Sequence, residues 1–118
     1  MAKFVTDGIT VTSTTSGAGA DVLYTCPSRF NSHVRFLHIS CGTSNNNHVT
    51  IEWYHAEDQV YHKLLNSFAM ATGTAHEVGG SGAHLYLHPG DKLVCSTDAS
   101  GNFDVTISVE ETPRTQTD

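Results

Sequence analysis

Eight histidines in 118 residues are the side chains with most reach toward chemistry, because imidazole titrates near neutral pH and ligates transition metals. His84 and His88 are four apart and would share one strand face, whereas His33 and His38 are five apart and would not. His55 and His62 flank the loop Glu57-Asp58-Gln59 and could meet across a hairpin. Two or three converging imidazoles suit zinc or copper. Metal sites ordinarily add a carboxylate or thiolate at fixed spacing, and neither HExxH nor a CxxC pair occurs. The sequence therefore assigns no metal and no cofactor, and its histidines read as surface or interface groups.

Other reactive constellations fare no better. The cupin kind of β-barrel metal site wants close-spaced histidines and then a glutamate early in the fold; His84-Leu-Tyr-Leu-His88 is late and wide. There is no GxSxG elbow and no cysteine in a glycine-rich turn. Cys41 and Cys95 sit among apolar strand residues and read as small core groups. The carboxylate pairs Glu57-Asp58 and Glu110-Glu111 read as solvated, the first in a loop and the second opening a polar tail over 111–118. Gly79-Gly80-Ser81-Gly82 lacks the following lysine and helix that cradle a phosphate. No catalytic residue is assigned, and the expectation is a protein that is not an enzyme.

Aromatic side chains offer binding rather than catalysis. Trp53 is in phase with Val49 and Ile51 and belongs to the core, while Tyr54 faces the other way and can pair with Tyr61 across the hairpin. The candidate interaction surface is thus Tyr54, Tyr61, His55 and His62. Exposed tyrosines serve sugar-binding platforms and protein interfaces equally well.

The elements that must hold these residues are strands. Residues 103–110 alternate without error: Phe103, Val105, Ile107 and Val109 on one face, Asp104, Thr106, Ser108 and Glu110 on the other. Turn signals precede and follow the neighbouring strand, at His88-Pro89-Gly90-Asp91 and over 98–102. Upstream, residues 9–14, 21–27, 32–41, 48–56, 60–70 and 74–78 read as further strands. In 32–41, Leu37, Ile39 and Cys41 share one face and Val34, Phe36 and His38 the other. Residues 60–70 are ambiguous, because Leu64, Leu65, Phe68 and Ala69 also fit helical spacing. Eight or nine strands at spacings of about 8–12 residues predict an all-β, single-domain antiparallel sandwich or jelly roll.

Composition narrows the partners. Net charge is −6, and the six Lys and Arg are scattered, which excludes a phosphate-tracking nucleic-acid surface. Protonating all eight histidines would carry the chain to +2. Three dispersed cysteines, Cys26, Cys41 and Cys95, favour free thiols in a reducing cytosol, with a Cys41–Cys95 bridge as the alternative. The N-terminal MAKFVTDG has no apolar run and no stretch of eighteen apolar residues occurs, so neither classical export nor membrane insertion is expected.

The run from Val34 to Glu110 resembles small β-sandwich virion proteins of tailed bacteriophages. VRFLHISCGTSNNNHVTIEWYH is similar to their opening strands, and LHPGDKLVCSTDASGNFDVTISVEE to their closing L-x-PGD-x-L … V-x-I-S pattern. The resemblance covers about two-thirds of the chain and rests on pattern. It implies a non-enzymatic structural subunit in the virion, assembled in the host cytoplasm. Such a subunit decorates or cements the capsid, or sits at the head–tail junction. The implied partners are further copies of itself and the major capsid, portal or neck proteins. Residues 1–14 would then be an edge strand, or an arm that adds a strand to a neighbour. A carbohydrate-binding sandwich for host attachment is the rival expectation.

Overall fold

The computed structural model describes residues 3–42, 47–78, 85–98 and 101–114. Among them lie nine strands: β1 Lys3–Val11, β2 Asp21–Thr25, β3 Phe30–Cys41, β4 Asn47–His55, β5 Val60–Met70, β6 Ala75–Glu77, β7 Leu85–Leu87, β8 Lys92–Thr97 and β9 Phe103–Pro113, with one 3₁₀ turn at Gly17–Gly19. One sheet runs β1-β9-β3-β6 with β7 also on β3, and the other runs β2-β8-β4-β5. All pairings are antiparallel. The pairs nest, first with last and second with next to last, so the chain is a long ribbon wound into a jelly-roll sandwich. The predicted fold class is the observed one.

The β9 alternation places Phe103, Val105, Ile107 and Val109 fully inside, packed with Ile39, Leu37 and Val11 of their own sheet and Val49, Ile51 and Leu93 of the other. The pattern does not stop at Val109. Glu111 takes the next inward position and is buried, so the predicted solvated tail starts too early. The Glu111 carboxylate accepts the Tyr24 hydroxyl and faces Lys3 Nζ at 3.6 Å. A buried carboxylate persists there because both a donor and a cation meet it. Residues 115–118 of the tail lie outside the described residues.

Three strands break the simple alternation with bulges: β2 between Val22 and Tyr24, and also β3 and β5. In β3 the register slips between Val34 and Phe36. Val34 therefore turns inward with Leu37 and Ile39, while Phe36 and His38 face solvent, correcting the face expected for Val34. In β5 an extra residue enters between Leu65 and Phe68, and another between Lys63 and Leu65. Ser67 adopts φ +52° there, and its N–H is held by Thr50 Oγ1 at 3.0 Å. The slip brings Leu65 and Phe68, three apart, onto one face. That produced the helix-like spacing in a segment that is a strand.

The N-terminal segment is the edge strand of this chain's own sheet. β1 pairs with β9 over its whole length, Lys3 opposite Glu111 through Val11 opposite Phe103, with no slip. It starts six residues earlier than the strand expected at 9–14, because Asp7, though exposed, falls in phase with Val5, Ile9 and Val11 and hides the alternation. The three cysteines are free and buried, so no Cys41–Cys95 bridge forms. Among the described residues no helix is long and apolar enough to cross a membrane.

Candidate functional site

The β4–β5 hairpin carries all four residues of the candidate surface, and the strand pleat divides them. Trp53 stands opposite His62, and His55 opposite Val60; Tyr54 stands opposite Tyr61 and Lys92. Neighbouring positions along a strand point to opposite faces. His55 and His62 therefore share the Trp53 face, while Tyr54 and Tyr61 lie behind them. The expected single surface is two surfaces, back to back.

On the outer face the Tyr54 and Tyr61 rings lie 4.7 Å apart at 44°, and the Lys92 ammonium sits 5.4 Å from the Tyr54 centroid. Below them Glu52, almost fully buried, receives the Gly17 N–H at 2.7 Å and faces Lys63 at 3.6 Å. The 3₁₀ turn thus caps this face next to the tyrosines.

On the inner face, near the end of the sandwich, Trp53 is the platform. Its ring centroid lies 4.9 Å from that of His55 and 5.1 Å from that of His62. Indole Nε1 donates to Asp91 Oδ2 at 3.2 Å. Asp91 is 1% exposed and also accepts the N–H groups of Ala56 at 2.9 Å and His88 at 3.1 Å. The Pro89-Gly90 turn makes this possible. Gly90 has φ +88°, and a Cβ there would come within 3.2 Å of the Ala56 methyl. The turn is also stitched to the end of β2, Cys26 donating to Asp91 O at 2.8 Å and accepting from Gly90 at 3.0 Å. Asp91 is thus a clamp joining the PGD turn to the β4–β5 hairpin.

The hairpin loop supplies a second carboxylate. Asp58 Oδ1 accepts the Val60 N–H at 3.2 Å and lies 3.3 Å from His55 Nδ1, while Glu57 Oε1 is 3.8 Å from His55 Nε2. Two sets of ligand atoms consequently fall within 4.8 Å of one another: His55, Asp58 and His62, and His55, His88 and Asp91. The second set borders a cleft of about 440 Å³, whose lining includes His55, Glu57, His88 and Pro89. The expected meeting of His55 and His62 occurs. Asp58 joins it from the hairpin loop itself, while Asp91 and His88 arrive on the PGD turn, whose approach to β4 no spacing in the sequence shows. His84 and Gly79-Gly80-Ser81-Gly82 lie outside the described residues.

The remaining described histidines have packing partners. His33 stacks on Tyr86 at 4.4 Å, Phe36 on His38 at 5.6 Å, and Phe68 lies 4.5 Å from His76. At the far end of β4, His48 Nδ1 and N–H meet Asp98 at 2.7 and 2.8 Å. Burial opposes ionisation of Asp98, but those His48 contacts outweigh it and hold the carboxyl below the usual range. His33–Tyr86 is a cross-strand pair, Phe36–His38 stacks along one strand, and Phe68–His76 bridges the two sheets.

Three interior groups, the Tyr24 phenol and the Cys26 and Cys95 thiols, are held in their protonated forms. Tyr24 OH bonds Ser32 Oγ at 2.8 Å, and Ser32 in turn meets Cys26 Sγ at 3.2 Å. Burial, then the Glu111 hydrogen bond, push the Tyr24 phenol well above its ordinary value. Burial likewise raises the Cys26 thiol and pushes Cys95 up to about 12. A thiol in this state is a poor nucleophile.

No protein-family model matches the chain, and no curated protein does. Among solved structures it is similar to a chain of Bacillus endospore appendages, described as a family of disulfide-linked pili. That match has TM-score 0.49 and 14% identity, over 98% of this chain and 92% of the other. It is similar also to the Eiger TNF of S. frugiperda, with TM-score 0.43 and 9% identity, over 96% and 95%. At such identities neither protein's role transfers to this chain.

Proposed function

We propose that this chain is a non-enzymatic virion structural protein of a tailed bacteriophage, one that oligomerises and decorates or cements the capsid or the head–tail junction. The observation that carries the self-assembly is the β1 edge. A strand at a sheet edge presents unpaired backbone groups, and β proteins usually blunt such edges with short strands or bulges. Here β6 and β7 are three residues each, β2 slips register, and β5 slips twice. β1 runs nine residues without a bulge, and its outward Phe4 is 71% exposed. It is the long, regular edge, suited to pairing with a second copy.

The virion assignment draws on the resemblance of Val34–Glu110 and on a surface that is hydroxyl-rich rather than ionic. Jelly rolls serve capsid proteins and lectins alike, so the fold alone does not separate these two. A sugar platform needs an open ring face, and Tyr54 already has Tyr61 against it and Lys92 over it. The geometry therefore favours an assembly surface over the rival lectin reading. Cryo-electron microscopy of particles from a host expressing the intact gene cluster tests the assignment. Density for this jelly roll at a symmetric position on capsid or neck is expected. Particles complete in every subunit but lacking it would overturn the proposal.

A further inference from the structure

The geometry points to a transition-metal site on the β4–β5 hairpin, in which His55, Asp58 and His62 bind one divalent ion of the zinc or copper type. We infer it from three features that act together, and none depends on the virion reading. The first is convergence: one ligand atom from each side chain lies within 4.8 Å of the others. Bonds of ~2.0–2.1 Å in tetrahedral array need ligand atoms about 3.4 Å apart, and His55 Nδ1 and Asp58 Oδ1 already stand 3.3 Å apart. A small swing of His62, an exposed side chain, completes the set.

The second feature is orientation. Both imidazoles rest against the same indole, at 4.9 and 5.1 Å, and that indole is pinned by Asp91. Asp58 is turned by the Val60 N–H, which occupies one of its oxygen lone pairs and leaves others for an ion. With Nδ1 given to the metal, His55 Nε2 faces Glu57 Oε1 at 3.8 Å. That separation is longer than a hydrogen bond, so Glu57, an exposed side chain, must close by several tenths of an ångström to hold the Nε2 proton and fix the ligand's tautomer. The third feature is the donor chemistry. Two imidazoles and one carboxylate suit zinc, copper or nickel over magnesium or calcium. Three protein ligands leave a coordination position for water or a side chain from a neighbouring molecule.

The competing set, His55 with His88 and Asp91, is the weaker one. Both Asp91 oxygens are already engaged, Oδ2 by Trp53 and His88 and Oδ1 by Ala56. Drawing Asp91 onto a metal would release the clamp that holds the turn.

The chain's single tryptophan is Trp53, which makes the site its own reporter. Untagged, EDTA-treated protein is titrated with Cu²⁺ while Trp53 emission is followed, and Zn²⁺ is then added in large excess, since copper binds such N/O sites more tightly. Expected are saturable quenching at one equivalent, recovery with Zn²⁺, and at least a tenfold weaker Kd in both His62→Ala and Asp58→Asn. His88→Ala should bind as the parent does. Circular dichroism and urea midpoints check that each variant is folded. Because Asp58 and His62 are exposed, these two variants keep the test open even if His55→Ala unfolds. Non-saturable quenching, unchanged Kd in His62→Ala and Asp58→Asn, or loss of binding in His88→Ala would each overturn the assignment.

Discussion

Replacing Asp91 by alanine should destabilise the chain strongly, because it removes the clamp between the PGD turn and the β4–β5 hairpin. The residue is 1% exposed, and its oxygens accept three hydrogen bonds at 2.9–3.2 Å. A hydrogen bond to a charged acceptor is worth about 1.5–3 kcal/mol, and truncation also strands the donors, here two backbone N–H groups and an indole. The three bonds share one acceptor and do not add, so the expected loss is about 3–4 kcal/mol, in the range for breaking one partner of a buried charged network. For a chain of this length that corresponds to a Tm lower by roughly 10–15 °C. Asp91→Asn keeps one acceptor oxygen and should lose about half as much. Asp104→Ala supplies the control. Its carboxylate also accepts a short bond, 2.6 Å from Thr10 Oγ1, but on the exposed face, and its loss should cost less than about 1 kcal/mol. Urea unfolding followed by Trp53 emission measures all three, with m expected to be unchanged. An Asp91→Ala variant within about 1 kcal/mol of the parent would refute the clamp.

Further outcomes follow from the same contacts. Ile107→Ala, at a fully buried position between the sheets, should cost about 2–5 kcal/mol in the same assay. All three cysteines are buried, and Cys95 is pushed up to about 12, so a thiol reagent at pH 8 should label native protein negligibly and modify three thiols in urea. Asp21 and Asp98 both have lowered carboxyl pKa values, Asp21 chiefly through the Thr12 N–H, and Asp98 because its His48 contacts outweigh burial. A depressed folded pKa contributes stability that is present above the ordinary carboxyl range and lost as pH falls through the folded value. Asp21→Asn and Asp98→Asn should therefore flatten the stability profile below about pH 4, and Asp21→Asn should leave the slope between pH 6 and 8 unchanged.

The fold was legible where strands are regular. β9 alternates cleanly, and its turn-flanked neighbours followed from proline and glycine placement. Bulges defeated the pattern, since one extra residue inverts every later side chain. Val34 was put on the wrong face for that reason, and the β5 residues Leu65 and Phe68 mimicked a helix. Glu111 was missed because its charge outweighed its phase. Continuing the alternation by one step past Val109 would have found it. The site was half legible. Hairpin pairing brought His55 toward His62, and the period-2 rule put Tyr54 behind Trp53. Asp58 looked like an ordinary loop acid, and Asp91 like a turn residue. The role of Asp58 depends on how the tight loop turns it back on His55, and that of Asp91 on where the Pro89-Gly90 turn lands on Ala56, a long-range contact that local spacing does not encode.

Sedimentation velocity over a concentration series tests the central claim of self-assembly through β1 most directly. The comparison is between the parent and a Phe4→Lys/Thr6→Lys variant. Phe4 faces Glu110 across the strand pair, so a lysine there finds an acidic neighbour within its own sheet. The exchange gives up the exposed Thr6–Ser108 hydroxyl contact, a small loss. Edge lysines block strand addition without disturbing the fold. The account predicts a discrete oligomer for the parent and a folded monomer, with a Tm independent of concentration, for the variant. A parent that stays monomeric at every concentration, or a variant that assembles as the parent does, would contradict it.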